Sequence, residues 1–277
     1  MMPSRLFIAE QVKAALSEDI GSGDVTAELL SPTQTVRAII LSREPMLVCG
    51  QSWVNEVFHQ IDKSIKIHWL VEEGMYLEKP TTLCHIDGLV RSILTGERTA
   101  LNFLQTLSGT ATQTHQYLQC LRGYNTRLLD TRKTLPGLRL AQKYAVACAG
   151  GTNHRIGLYD AYLIKENHIR ACGSIQQAIK LARKENPKLL VEVEVESLNE
   201  LQEALIAAPD RILLDNFSIP MLHEAVTITQ RRCALEASGG VDLSTIEAIA
   251  KTGVDFISVG GITKSVRAVD LSLLIQE

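Results

Sequence analysis

Nowhere among the 277 residues do like charges gather into a long run, and the formal net charge is only −3. Nucleic-acid binding by counterion release needs a basic face, so the chain is not expected to bind nucleic acid. Cys49, Cys84, Cys120, Cys148, Cys172 and Cys233 are scattered, with no C-x-x-C pair. That spacing offers neither a metal cage nor a redox pair and predicts buried, reduced thiols. The opening MMPSRLFIAEQVKAALSEDIGSGD carries an apolar run broken at Glu10 and Lys13. It is too short and too interrupted for a signal peptide or a membrane span. The cytoplasm is the simplest compartment, with no membrane partner. The chain does hold 45% hydrophobic against 21% charged residues, enough to bury a substantial core. Its length suits one large domain, or a small domain joined to a larger one.

The rhythm of the chain favours the second arrangement, with residues 1–109 and 110–277 as the two parts. Leu6, Ile8, Ala9, Val12, Ala15 and Leu16 give a helix-like stripe from Leu6 to Asp19, and the turn-rich EDIGSGDVT follows. VRAIILS (Val36 to Ser42) and IKIHWLV (Ile65 to Val71) read as strands, with the helical QSWVNEVFHQI between them. EEGMYLEKPTTLCHIDG reads as turns around another strand, and a helical pattern runs from Ile93 to about Tyr117. Mixed strands and helices of this kind predict a small N-terminal α+β domain, joined to the next near Gly109. Six short apolar runs then begin at Leu128, Ala161, Leu189, Arg211, Ala234 and Phe256, each ending in a polar or glycine-rich cluster. The last four centre near Leu190, Ile212, Leu235 and Ile257, a spacing of 22 to 23 residues. One strand plus one short helix per unit is the signature of βα repeats and a parallel sheet. Ser174, Ser197, Ser218 and Asp242 are the expected N-caps, and Ser197-Leu-Asn-Glu200 reads as a capping box. Six strands fall short of eight, so a partial, open α/β barrel is predicted, with its site at the strand C-terminal ends.

Charges and glycines sit at those ends. In Val191–Glu196, VEVEVE, alternation places Glu192, Glu194 and Glu196 on one face. Alone this would read as a solvated edge strand. Within a βα series the valines meet the helices, so the glutamates point inward and need cations or a metal. Asp215 ends the apolar RILLDN. It reads as an Asx turn or a helix N-cap or, since Asn216 or Ser218 can fill that part, as a functional carboxylate. Arg132 and Lys133 follow the first strand, His154 and Arg155 lie in GGTNHRIG, and Lys165 ends the second strand. Together they suit a substrate with several negative charges: arginines fork onto carboxylates, and lysines act as point charges for phosphate. Ser238, Gly239 and Gly240 end the fifth strand, and Gly260 and Gly261 the sixth. Glycines let backbone N–H groups approach a phosphate, and Asp242 and a helix after Lys264 would add donors.

These residues resemble one family closely, the quinolinate phosphoribosyltransferases. The resemblance runs nearly end to end through EDIGSGDVT, GERTALNFLQTLSGTAT, LDTRKTLPGLRLAQKYAV, GGTNHRIGLYDAYLIKENHI, VEVEV, LLDN, SGG and ISVGGITKS. It implies transfer of a phosphoribosyl group from phosphoribosyl pyrophosphate to quinolinate with magnesium. Carbon dioxide and pyrophosphate leave, and nicotinate mononucleotide forms. By resemblance, Arg98, Arg132, His154 and Arg155 hold the pyridine dicarboxylate, and Lys133 and Lys165 face the carboxylates and diphosphate. Glu194 and Asp215 lie beside the ribose and its metal, bound directly or through water, while the SGG and VGG loops cradle the 5-phosphate. The resemblance also implies a homodimer, or a higher oligomer, in which Arg98 enters the neighbouring subunit's site. Leu135, Ala149 and Gly261 depart from the family's common pattern without removing a charge. The competing readings are nicotinate phosphoribosyltransfer without decarboxylation, a Schiff base at Lys165 as in class I aldolases, and a non-catalytic binder of a phosphorylated ligand.

Overall fold

In a computed structural model, residues 2–276 are described, and the chain divides into two compact units. The first comprises Met1–His115, Pro136–Ala149 and Ser265–Glu277; the second, Gln116–Leu135 and Gly150–Lys264. Neither unit is one continuous stretch.

The first unit opens with helix α1 (Arg5–Ile20), where Ser4 Oγ accepts the Phe7 N–H. Ile8, Val12 and Leu16 form its buried face, spaced by four as a helix requires, while Leu6 is exposed. Strands β1 (Thr35–Ser42) and β2 (Met46–Leu47) precede helix α2 (Gln51–Ile61), which buries Trp53, Val54, Val57 and Phe58. Strands β3 (Lys66–Trp69), β4 (Tyr76–Leu77) and β5 (Thr82–Leu89) lead into the long helix α3 (Val90–Cys120). Within the antiparallel sheet β1 is flanked by β5, and β5 by β3.

Helix α3 runs through Gly109 without interruption. A Cβ there would stand 2.2 Å from the Arg267 carbonyl oxygen, so the glycine permits a close backbone approach. Backbone cannot swing aside as a side-chain tip can. Gly109→Ala should therefore cost roughly 3 kcal/mol and lower Tm by roughly 5–10 °C in thermal unfolding. A shift under about 2 °C would show that the two segments separate easily.

The second unit begins with strand β6 (Arg127–Leu129), after which helix α4 (Arg139–Cys148) returns to the first unit and buries Ala141, Ala145 and Val146. Then come β7 (Ala161–Ile164), α5 (Glu166–Cys172), α6 (Ile175–Glu185), β8 (Leu190–Val195) and α7 (Leu198–Ala207). They are followed by β9 (Arg211–Asp215), α8 (Ile219–Thr229), β10 (Ala234–Ser238), α9 (Ile246–Lys251), β11 (Phe256–Ser258) and α10 (Gly261–Lys264). A last strand, β12 (Leu271–Ile275), pairs antiparallel with β1. That pairing is why Ser265–Glu277 leaves the barrel unit.

All six expected barrel strands are present, ordered β6-β11-β10-β9-β8-β7 and parallel at every pair. The edge strands β6 and β7 do not pair with each other, so the barrel is open, and Thr152 bridges to Leu129 at the free edge of β6. Val191, Val193 and Val195 of β8 are buried on one face, and Glu192 is buried on the other. Glu194 is half-buried and Glu196, past the strand end, is exposed. Ser174, Ser197 and Ser218 cap their helices by accepting N–H groups three residues on.

Three local expectations are corrected. Glu200 accepts the N–H of Glu196 rather than of Ser197, so the capping box closes one residue early. Asp242 accepts from Ser244 and Thr245 in an Asx turn, and Thr245 is the N-cap of α9. The helix expected after Lys264 lies before it, as α10. The cysteines are all free, two buried and four half-buried. Yet within the first unit Cys49, Cys148 and Glu73 bring ligand atoms within 4.8 Å of one another, which their sequence spacing conceals. Glu73 is already engaged there by the Gly50 and Gln51 N–H groups and the Tyr144 hydroxyl. Among the described residues, no helix is long and apolar enough to cross a membrane.

Candidate active site

A cleft of about 410 Å³ opens at the C-terminal ends of the barrel strands. A larger hollow of about 1030 Å³ lies at their opposite ends, around Thr126, Asp210, Ala234 and Asp255. The chemistry gathers in the smaller one. Its wall includes Arg132, Lys133, His154, Arg155, Lys165, Glu194, Asp215 and Ser238, all contributed by the second unit.

Each of these side chains is placed by its strand or by the turn that follows it. Thr131, just after β6, accepts the Lys133 N–H at 3.0 Å, and Thr263 donates to the Lys133 carbonyl at 2.7 Å. Gly260 leaves room for this lysine's stem, since a Cβ would lie 3.1 Å from Lys133 Cδ. Asp130, buried at the end of β6, accepts Asn153 Nδ2 at 2.7 Å and the His154 N–H at 2.8 Å. It thereby ties the His154–Arg155 segment to the strand. Asp160 tightens the following loop by accepting the N–H groups of Ile156 and Gly157. Arg155 Nη1 donates to the Ala161 carbonyl at 3.3 Å. Burial, and next the charge of Arg132, push the Arg155 guanidinium below its usual range. Two cations are thus held close together before any anion arrives.

On the opposite side of the charge balance, Lys165 Nζ forms an ion pair with Glu194. Burial and then the charge of Glu194 raise the Asp215 carboxyl above the ordinary aspartate range, while Lys165 and Lys133 oppose the shift. Asn216 Nδ2 donates to Asp215 Oδ2 at 2.8 Å. Asn216 itself has a positive φ of 55°, and a Cβ on Gly239 (φ 97°) would lie 2.1 Å from its Oδ1. Glycine is required at 239 for both reasons.

Below this layer the strands carry a second set of charges. Glu192 (β8) and Glu236 (β10) are fully buried, with Arg211 (β9) beside them. Arg211 Nη1 donates to Glu236 Oε2 at 2.9 Å, and its guanidinium lies 4.1 Å over the ring of Phe256. His154 Nε2 is 3.1 Å from Glu192 Oε2 and 3.5 Å from Glu236 Oε2.

Eight of the thirteen residues expected at a site therefore line one cleft. Gly239, Gly240, Gly260 and Gly261 are not among the residues of the wall, and Arg98 lies exposed on α3 in the first unit. Asp130, Asp160, Arg211 and Glu236 were not singled out from sequence. The one available signal was that Asp130 and Glu236 sit, like Asp215 and Glu194, at or near the ends of apolar runs.

An open parallel α/β barrel with four cations and two carboxylates at its strand ends defines an enzyme for polyanionic substrates. The description "quinolinate phosphoribosyl transferase, C-terminal domain" matches residues 110–274, and the corresponding N-terminal domain matches residues 24–108. The chain belongs to the quinolinate phosphoribosyltransferase family. It is 39% identical to a probable carboxylating nicotinate-nucleotide pyrophosphorylase of Bacillus subtilis, covering 92% of this chain and 89% of that one. With the carboxylating nicotinate-nucleotide pyrophosphorylase of Mycobacterium leprae it shares 40% identity, covering 95% of each. The solved nicotinate-nucleotide pyrophosphorylase of Francisella tularensis superposes with a TM-score of 0.97 at 51% identity, over 99% of this chain and 98% of that one. Human nicotinic acid phosphoribosyltransferase, at 10% identity and a TM-score of 0.67, shares the fold alone.

Proposed function

We propose that this enzyme transfers the phosphoribosyl group of phosphoribosyl pyrophosphate to the ring nitrogen of quinolinate, with decarboxylation to nicotinate mononucleotide. The observation that carries this reading is the meeting of Arg132, Lys133, Arg155 and Lys165 with Glu194 and Asp215 in one cleft. The two arginines suit planar carboxylates through bidentate forks, and the two lysines suit diphosphate. As pyrophosphate departs, positive charge develops on the anomeric carbon, and Glu194 and Asp215 stabilise it electrostatically. The ring nitrogen, once quaternised, withdraws electrons from the neighbouring carbon and eases loss of its carboxylate as carbon dioxide. Ser238 and the backbone of Gly239, Gly240, Gly260 and Gly261 form the proposed phosphate cradle.

Glu194 and Asp215 also suit magnesium. Their oxygens are hard donors, and the repulsion that raises Asp215 is what a divalent cation relieves. Held by these two, directly or through water, magnesium would neutralise the diphosphate. We place the protein in the cytoplasm, acting on its two small-molecule substrates as a homodimer or a higher oligomer.

Two rival readings fit less well. Nicotinate has one carboxylate fewer and would leave cations unmatched. A Schiff-base lysine needs an apolar setting, whereas Lys165 is ion-paired with Glu194. Assays with quinolinate and nicotinate side by side, following carbon dioxide release, test the proposal. Quinolinate should turn over with stoichiometric carbon dioxide and nicotinate should not; equal turnover of both acids would overturn it.

A further inference from the structure

Of the cations in the cleft, His154 and Arg155 stand on neither a strand nor a helix. Residues 149–160, which lead from α4 to β7, carry no regular structure beyond the bridge from Thr152 to Leu129. Such a segment holds side chains in place only where other groups tie its backbone down. It is pinned at both ends. At the first, the Thr152 N–H donates to the Leu128 carbonyl at 2.9 Å, and the Asp130 N–H to the Thr152 carbonyl at 3.2 Å. The Asp130 carboxylate then takes Asn153 Nδ2 on Oδ2 at 2.7 Å and the His154 N–H on Oδ1 at 2.8 Å. At the second, Asp160 accepts the Ile156 and Gly157 N–H groups at 2.7 and 3.0 Å. Arg155 is left between the two pins. Asp130 is fully buried and is not among the residues of the cleft wall. Burying a carboxylate is costly unless donors meet it, and an asparagine would be cheaper to bury. Its amide nitrogen, however, would face one of the two donors and break that bond. The position therefore calls for two acceptor oxygens at once.

We propose that Asp130 is a positioning residue for the acceptor. By holding Asn153 and His154 together it fixes His154 and Arg155 where the dicarboxylate binds, and so sets the affinity for quinolinate without touching it. The assignment rests on the reaction proposed above. Contacts to the carboxylates that are made before and during phosphoribosyl transfer alike act on KM rather than kcat. The groups that suit diphosphate and the developing charge are placed by other means. Lys133 has its own ties to Thr131 and Thr263, and Lys165, Glu194 and Asp215 belong to β7, β8 and β9 or the residue that follows. Loss of the Asp130 fork should therefore be felt by quinolinate and not by phosphoribosyl pyrophosphate.

Steady-state kinetics on three variants test it, with carbon dioxide release as the readout. Asp130→Asn should raise KM for quinolinate roughly 10–100-fold, while kcat and KM for phosphoribosyl pyrophosphate change less than about threefold. Asn153→Ala removes one donor and keeps the His154 bond, so it should raise the same KM by a smaller factor. The exchange of Asp130→Asn with Asn153→Asp is the decisive arm. The amide at 130 then donates to the carboxylate at 153 and keeps its oxygen for the His154 N–H. Both bonds return with one donor and acceptor reversed, and KM for quinolinate should fall to within about threefold of wild type. A merely structural role would change both KM values alike. Equal changes for the two substrates, an unmoved KM for quinolinate in Asp130→Asn, or an exchange no better than the single variant overturn the inference. Should Asp130→Asn fail to fold, an unmoved KM for quinolinate in Asn153→Ala overturns it instead. Wild-type release of carbon dioxide from quinolinate upholds the reaction whatever the variants do, and a wild type without it overturns both.

Discussion

Asp215→Asn should lower kcat by about 10²–10³-fold, the cost of removing one preorganised electrostatic group, yet melt at the same or a higher temperature. Both halves come from the same environment. Asp215 ends β9 half-buried beside Glu194, and burial followed by that neighbouring charge raises its carboxyl. An acid whose folded pKa lies above its unfolded value is worse accommodated as a carboxylate in the folded state. Above the unfolded pKa its ionisation therefore costs stability, and a neutral amide removes the cost. The charge is tolerated because the transition state, not the fold, uses it. KM for each substrate should change much less than kcat, because the stabilised charge develops only as pyrophosphate leaves. Thermal unfolding at pH 7 without magnesium, paired with steady-state kinetics, reads both effects. Near-normal kcat, or a clear loss of stability, would make Asp215 a structural Asx-turn residue.

The barrel was legible because each βα unit carries its own punctuation. Ser174, Ser197 and Ser218 start helices by bonds to residues three positions on, so no distant partner is needed to read them. Strand β12 was not legible. Leu271–Ile275 is a short apolar run whose partner, Ala38–Ser42, lies more than 200 residues earlier, and nothing local announces that pairing. The same holds for α4, whose place in the first unit no local feature announces.

The site divides along the same line. Strand-end position, together with resemblance, identified Arg132, Lys133, Lys165, Glu194 and Asp215 as site residues, and the cleft gathers all of them. Alternation in VEVEVE correctly turned Glu192 inward, but its partners depend on register between strands. Glu192 lies level with Arg211, and Leu213, two residues further on, lies level with Glu236. Only that alignment brings two carboxylates and one guanidinium together. Cys49 and Cys148 meet for a similar reason, through packing rather than spacing.

Arg98→Ala and Lys133→Ala should each be inactive alone, and mixing the two should restore activity. Lys133 belongs to the second unit, in the cleft wall, whereas Arg98 is exposed on α3 of the first unit, outside that wall. In the homodimer proposed above, Arg98 of one chain would complete the site of the other, and two-fold symmetry would supply it reciprocally. In a mixed dimer, one site then draws intact Lys133 from one chain and intact Arg98 from its partner, while the other site carries both lesions. Random re-pairing of equal amounts makes half of all dimers mixed, so about a quarter of all sites should be intact. Specific activity should return to about that fraction of wild type after a denature–refold step or slow subunit exchange. Carbon dioxide release from quinolinate measures the recovery, and native mass spectrometry of differently tagged chains measures mixed-dimer formation. If mixed dimers form and no activity returns, Arg98 acts within its own subunit or outside the reaction altogether.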